Sequence, residues 1–354
     1  MNAEMRTPSR RQLLKWGGGL VGVGAFGSVM LTSSSASAAA VTSSKHFDLT
    51  AASTMFLREI DLQETRVLQS FAFDNTNKHL YTAQLVQGGR ELPGETQFYD
   101  GAARAAQGDL CITRLDWGGN EIGRMYLKGF GHGVSIAVEP SGNSAYLWTE
   151  CDVDMTKNPD SSGNRYGTKI ARFKFANGAV LTTASAALTK YTPVAGSTNT
   201  TVAIDPANSR IAHRYNLNGT WKYALYDLAT FKSGGSPLTT ITQVSDLTGV
   251  TFQGYTTYGQ YLYTIDGTAY GTSGSVEGTG NTYITCVDWN TGTKVDRQLT
   301  KAGYSLSYRE PEGLAVQIPD TSNMAAVRLH MGFASGADAA APKQASFYYK
   351  DVLV

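Results

Sequence analysis

Short apolar runs and polar turns alternate along this chain in a recurring order. Five times an apolar run leads into a turn rich in Asn, Asp, Gly, Pro or Ser and then into a second run carrying aromatics, over residues 70–84, 135–150, 201–216, 251–266 and 314–331. Each copy reads as a tight β-hairpin. A third run follows in most copies: 112–117 ahead of Gly118-Gly119-Asn120 matches 284–289 ahead of Asn290-Thr291-Gly292, and 170–175 and 223–228 fill the same slot. With another strand-like stretch behind it, each unit supplies four antiparallel strands, A to D, which is one propeller blade. Recurrence about every 50 to 70 residues indicates a radial array. The pattern therefore predicts an all-β chain forming a single β-propeller of five four-stranded blades. The fifth unit stops early, with 346–350 as its third strand, while the strand-like segment 54–62 precedes the first unit unassigned. That segment is expected to close the ring as the outermost strand of the last blade, leaving no sheet edge open.

In such a meander the start of strand A and the end of strand B lie at one end of the blade, so one face of the disc, here the entry face, collects both. The A entrances are Gln69, Gly131-His132-Gly133, Asn199, Gln253, and Arg309-Glu310-Pro311-Glu312-Gly313. The B exits are Gln84, Trp148 with Glu150, His213-Arg214-Tyr215-Asn216, Asp266, and His330. The long B–C connections, 88–108, 152–167, 267–281 and 332–344, open on the same face, and long loops on a rigid scaffold commonly wall binding sites. Their Gly, Ser and Asn content suits a carbohydrate-facing rim and plain solvent exposure alike.

Individual residues carry two readings each. His132 between glycines allows close backbone approach to a ligand, or is a hydrogen-bonded turn histidine. His213 and Tyr215 fall on one side of their strand and Arg214 on the other, for chemistry or for packing between blades. Trp148 offers a flat face to a sugar ring or fills core. Trp117 and Trp289, at matching turn positions, are assigned to structure. Asp152, Asp154, Asn158 and Asp160 resemble an oxygen-rich calcium loop without the EF-hand order, which leaves a structural cation such as calcium open while no cofactor is required.

Composition narrows the setting. Residues 1–40 read as a twin-arginine signal peptide: Ser9-Arg10-Arg11-Gln12-Leu13-Leu14-Lys15, an apolar stretch over 16–31, and small residues at Ala36-Ser37-Ala38. Residues 41–354 are then the propeller domain of a secreted protein. A net charge of +1 gives no field for nucleic acid or an anionic membrane surface, and no later run is apolar enough to span a bilayer. Cys111, Cys151 and Cys286 are odd in number and strand-embedded, so buried thiols are expected. There is no G-x-S-x-G elbow, phosphate loop, Cys-x-x-Cys pair or H-E-x-x-H helix.

At residues 130–139, with Phe130-Gly131-His132-Gly133, and at Arg309-Glu310-Pro311-Glu312-Gly313-Leu314, the chain resembles the TagC-like β-propellers, which include teichoic-acid-associated proteins and the propeller of phage receptor-binding proteins. It is similar also to secreted propeller lyases that remove rhamnose from glucuronate. The resemblance covers 56–354 and implies a cell-surface or extracellular polysaccharide as ligand. The reading adopted is a secreted polysaccharide lyase acting by β-elimination at a uronic acid. In it Arg309 or Arg214 neutralises the carboxylate, His132 or His213 takes the proton, and Tyr215 protonates the leaving oxygen. Gln69, Gln84, Trp148, Glu150, Asn199, Arg214, Gln253, Glu310, Glu312 and His330 are expected to bind substrate. The alternatives are a hydrolase using Glu150 with Glu312 or Asp266, and a non-catalytic module docking on teichoic acid or another glycan. The expected partner is an acidic polysaccharide or cell-surface glycan, met by a monomer, with neither nucleic acid nor, after leader removal, membrane.

Overall fold

A computed structural model describes residues 40–336 and 343–354. The signal-peptide assignment, apart from residue 40, lies outside the described residues. So does part of the fifth B–C loop.

The meander predicted from the sequence is present in five sheets. Blade one is Leu68–Asp74, His79–Leu85, Leu110–Asp116 and Glu121–Lys128; blade two is Ala137–Ser141, Ser144–Val153, Gly167–Lys174 and Thr189–Tyr191. Blade three is Thr198–Asp205, Arg210–Leu217, Thr220–Asp227 and Thr239–Thr242; blade four is Phe252–Tyr258, Tyr261–Asp266, Tyr283–Asp288 and Lys294–Leu299. Blade five takes Glu310–Gln317, Arg328–Ser335 and Gln344–Lys350 from the end of the chain and Thr54–Asp61 from its beginning. The closing strand pairs Met55 with Tyr348, Leu57 with Phe347 and Ile60 with Ala345. A bridge between Phe47 and Leu353 extends the join. Thus the backbone groups at both sheet ends find partners in each other.

Alternation along each strand sends successive side chains into opposite seams between blades. Each seam holds one apolar cluster, and a sixth, of Val86, Leu92, Cys111 and Tyr126, lies on blade one. Tyr81, Ile112, Leu147 and Phe173 join blades one and two; Trp148, Ile170, Ile211 and Tyr226 join two and three. Tyr223, Tyr255 and Trp289 join three and four, Tyr263, Ile284 and Met331 join four and five, and Phe71, Leu115 and Phe347 join five and one. All three cysteines are buried and free. Among the described residues no helix is long and apolar enough to cross a membrane.

The sequence pattern missed one pairing. Val180–Thr182 leaves blade two and pairs in parallel with Glu121–Lys128, making the first sheet five-stranded. A parallel partner arrives from a distant connection and has no turn signature next to it.

Candidate functional site

Register fixes the entry face. Leu68 lies opposite Gln84, Thr198 opposite Asn216, Phe252 opposite Asp266 and Glu310 opposite Ala334, so A starts and B ends do share one end. In all four of these pairs the register slips just inside that end, between 68 and 70, 198 and 201, 252 and 254, and 311 and 314. These bulges bring neighbouring A strands together. The Ser70 hydroxyl donates to the Gly133 carbonyl at 2.6 Å, and that of Ser135 to the Val202 carbonyl at 2.8 Å. Gly254 (φ +141°) passes so close to Gly313 that a Cβ would sit 2.7 Å from its Cα. Below this collar the axis is filled by Phe71, Phe73, Ile136, Val138 and Leu314 around a cavity of about 20 Å³. The pore shared by all five blades narrows to this small cavity between its own side chains.

Where the candidate residues sit follows from the seams. His213 is fully buried, stacked on Tyr215 at 4.7 Å, with Nε2 2.5 Å from the Thr200 hydroxyl. Arg309 is fully buried too, donating from Nε to the Ala302 carbonyl, from Nη1 to the Thr282 hydroxyl and from Nη2 to the Thr300 carbonyl. Arg214 lies flat between Trp221 and Phe252, 3.6 and 3.7 Å from the ring centres. The four expected catalytic groups are therefore not assembled: His213 and Tyr215 face the seam of blades two and three, Arg309 fastens blade four to blade five, and His132 packs against Tyr166 behind a loop pocket. Strand alternation told which residues share a side, and the neighbouring blade decided that those sides are buried.

Among the expected binding residues, Trp148 is core, stacked on Tyr191 at 5.3 Å, with its indole N–H on Glu139. His330 departs most. It opens strand B opposite Ala315, near the far end of strand A, and bonds Gln317 at 3.0 Å, so it belongs toward the opposite face. Gln84 braces the segment before blade one through the backbone of Glu64 and Arg66. Asp266 is clamped by Arg297 at 2.6 and 2.8 Å. Glu150 is fully buried and accepts from the Gly133 and Gly167 amides at 2.8 and 2.5 Å. Burial pushes its carboxyl up to about 7 although these amides oppose the rise. Glu150 thus moors the loop that carries His132, and Gly131 must lack a side chain because a Cβ there would meet the Glu150 carboxyl at 2.3 Å. Gln69 is buried at the mouth of blade one. Gln253 donates to the Gly267 carbonyl at 3.1 Å, and burial raises the Glu310 carboxyl against the opposing influence of Tyr308 and Gln253. Glu312 is buried with no hydrogen bond from its side chain among the described residues, and desolvation, helped by Glu310, raises its carboxyl well above the usual range.

Polar groups do converge beside His132. The B–C loop of blade two and the start of blade three enclose a pocket of about 220 Å³ lined by Asp160, Asn164, Arg165, Tyr166 and Asn199, among others. The Tyr166 hydroxyl donates to Asp160 Oδ2 at 2.8 Å, and Asp160 Oδ1 accepts from the Ser162 and Asn164 amides. Arg165 is held by the carbonyls of Ala106 and Lys157, without a carboxylate partner among the described residues. The His132 ring meets Tyr166 edge-on at 5.5 Å, and its buried Nδ1 has no partner among the described residues. Burial, aided by Arg66 and opposed by Asp160 and Asn164, brings this imidazole down to about 4, so it is neutral at pH 7. Asp152, the first of the loosely calcium-like residues, is turned to Lys169 and Lys190, while Asp154 caps Thr156. Among the described residues no group of three or more His, Cys, Asp or Glu side chains is placed to hold a metal ion.

Residues 67–343 match the family model described as the phage 5-bladed beta propeller receptor binding platform domain. The chain belongs to that family. A similar curated protein is the "Putative major teichoic acid biosynthesis protein C" of Bacillus subtilis (strain 168), 28% identical over 304 residues, which cover 82% of this chain and 61% of that protein. The chain thus spans under two thirds of the length of this relative. The tail fiber of Staphylococcus aureus phage P68 shares the fold with a TM-score of 0.62 at 18% identity, over 86% of this chain and 54% of that one. In this member of the family, Tyr166, Asn164 and Arg165 were not singled out by the sequence reading. Their signal was a Pro-Asp-Ser-Ser-Gly-Asn turn running into an Arg-Tyr pair at the end of a long entry-face loop.

Proposed function

We propose that this propeller binds a cell-surface glycan through the blade-two pocket of its entry face, outside the cell, as a monomer exported by the twin-arginine route. The observation that carries the reading is the polar cluster of Asp160, Asn164, Arg165, Tyr166 and Asn199 around about 220 Å³ of space. Carboxylate, amide and guanidinium groups suit the hydroxyl-rich edge of a sugar, and the Tyr166 ring suits its apolar face. Membership in a family described as a receptor binding platform supports it, as does the export pattern at Ser9 to Lys15. Calorimetric titration with purified wall glycans tests it. Tyr166→Ala is expected to weaken binding by tenfold or more, on the order of 1.4 kcal/mol. Equal affinity of wild type and variant for every glycan bound would remove the pocket from consideration.

A second reading, elimination at a uronic acid, is favoured by one pairing: neutral His132 beside Tyr166, with Arg165 and Arg66 near. His132 would take the proton beside the carboxylate and Tyr166, whose phenol burial keeps protonated, would supply one to the departing oxygen as the carbon–oxygen bond breaks and a double bond forms. An unsaturated uronate, read by its ultraviolet absorbance and lost in His132→Ala, is the expected product. Binding without that product leaves the first reading alone.

A further inference from the structure

A buried ammonium on the outer rim forms no salt bridge among the described residues. Lys350, the last residue of strand C in blade five, is 4% exposed, yet its Nζ bonds only the Ala51 carbonyl and forms no ion pair among the described residues. Lysine is almost never buried unpaired, because desolvating its charge is costly. Among the described residues Asp48 is the carboxylate that acts on it electrostatically, and its Oδ1 already accepts from the Thr50 amide and hydroxyl at 2.8 and 2.6 Å. Burial accordingly lowers the Lys350 ammonium from its usual range.

Lys350 lines a cavity of about 490 Å³ between the ring-closing segment and the end of blade four. Thr50, Ser53, Gln298, Lys301 and Tyr348 line it as well. Two lysines, hydroxyl-bearing residues and a glutamine thus line a space with no acidic and no arginine residue in its wall. Arginine forks recognise planar carboxylates, whereas lysine acts as a point charge suited to a tetrahedral oxyanion.

We propose that this rim cavity is a phosphate-binding site, taking a phosphate ester that places its oxyanion between Lys350 and Lys301. The site stands apart from the entry-face pocket and does not depend on the glycan reading. It would hold the last strand of the closing blade against blade four, so occupancy stabilises the closed ring.

The test is thermal unfolding and calorimetry of the full chain with inorganic phosphate, glycerol 3-phosphate and the diester bis(glycero)phosphate, against chloride at equal ionic strength. Saturable stabilisation by at least one phosphate, weakened about tenfold in Lys301→Glu and abolished in Lys350→Met, is expected. Uptake of the diester identifies a polymer strand as the natural source; uptake of the monoester alone identifies a free small molecule. If no phosphate stabilises more than chloride, or if Lys301→Glu titrates as wild type, the proposal falls. Lys301 is exposed, so its variant keeps the test valid even if Lys350→Met does not fold.

Discussion

Replacing Glu150 with Gln isolates the carboxyl that moors the His132 loop. In the fold its pKa stands at about 7, against 4.5 for the free side chain, because complete burial outweighs the amides of Gly167, Gly133, His132 and Val134. The folded state therefore prefers the protonated acid. Its contribution to stability is fully present below about 4.5 and is lost as pH rises through about 7. At about 1.4 kcal/mol per unit, a rise of this size corresponds to roughly 3 kcal/mol across that window. Gln cannot ionise, so Glu150→Gln removes this slope. It also sets an amide N–H against a backbone donor, a pH-independent loss of about 1–3 kcal/mol. Urea unfolding at a series of pH values is the assay. Wild type is expected to lose stability relative to the variant by up to roughly 3 kcal/mol as pH climbs from about 4 to about 8. A difference that stays flat with pH, or that moves in favour of wild type as pH rises, would refute the claim that desolvation governs this group.

Other outcomes follow from the same geometry. Gly254→Ala places a Cβ 2.7 Å from the Gly313 backbone at a φ of +141°, so it should cost at least about 2 kcal/mol in denaturant titration; a neutral effect would mean that the collar of A strands is loose. Removing residues 54–61 opens the fifth sheet and exposes Phe347 and the Gln344–Lys350 edge. The truncated chain should aggregate or melt far earlier in light scattering and calorimetry, and an unchanged melting profile would contradict ring closure. Arg10→Lys combined with Arg11→Lys should leave the protein in the cytoplasm when fractions are blotted, whereas unaltered export would rule out the twin-arginine route.

The number of blades, their strand order and the closing strand were legible in the sequence because each depends on local signals: two-residue alternation, turn chemistry and recurrence. The shared end of A starts and B ends follows from the same antiparallel logic, and small residues at the collar, Ser70, Ser135, Thr201, Gly254 and Gly313, stand in the sequence at the head of each unit. What tertiary structure alone decided is which polar side chains remain available. His213, Tyr215, Arg309 and Trp148 look equally suited to a site along the chain, but a neighbouring blade covers each of them. Burial depends on the strand packed across the seam, often more than forty residues away, and no local pattern encodes that contact. The same holds for Tyr166 and Asp160, whose pocket exists only because a long loop folds back beside the start of the next blade.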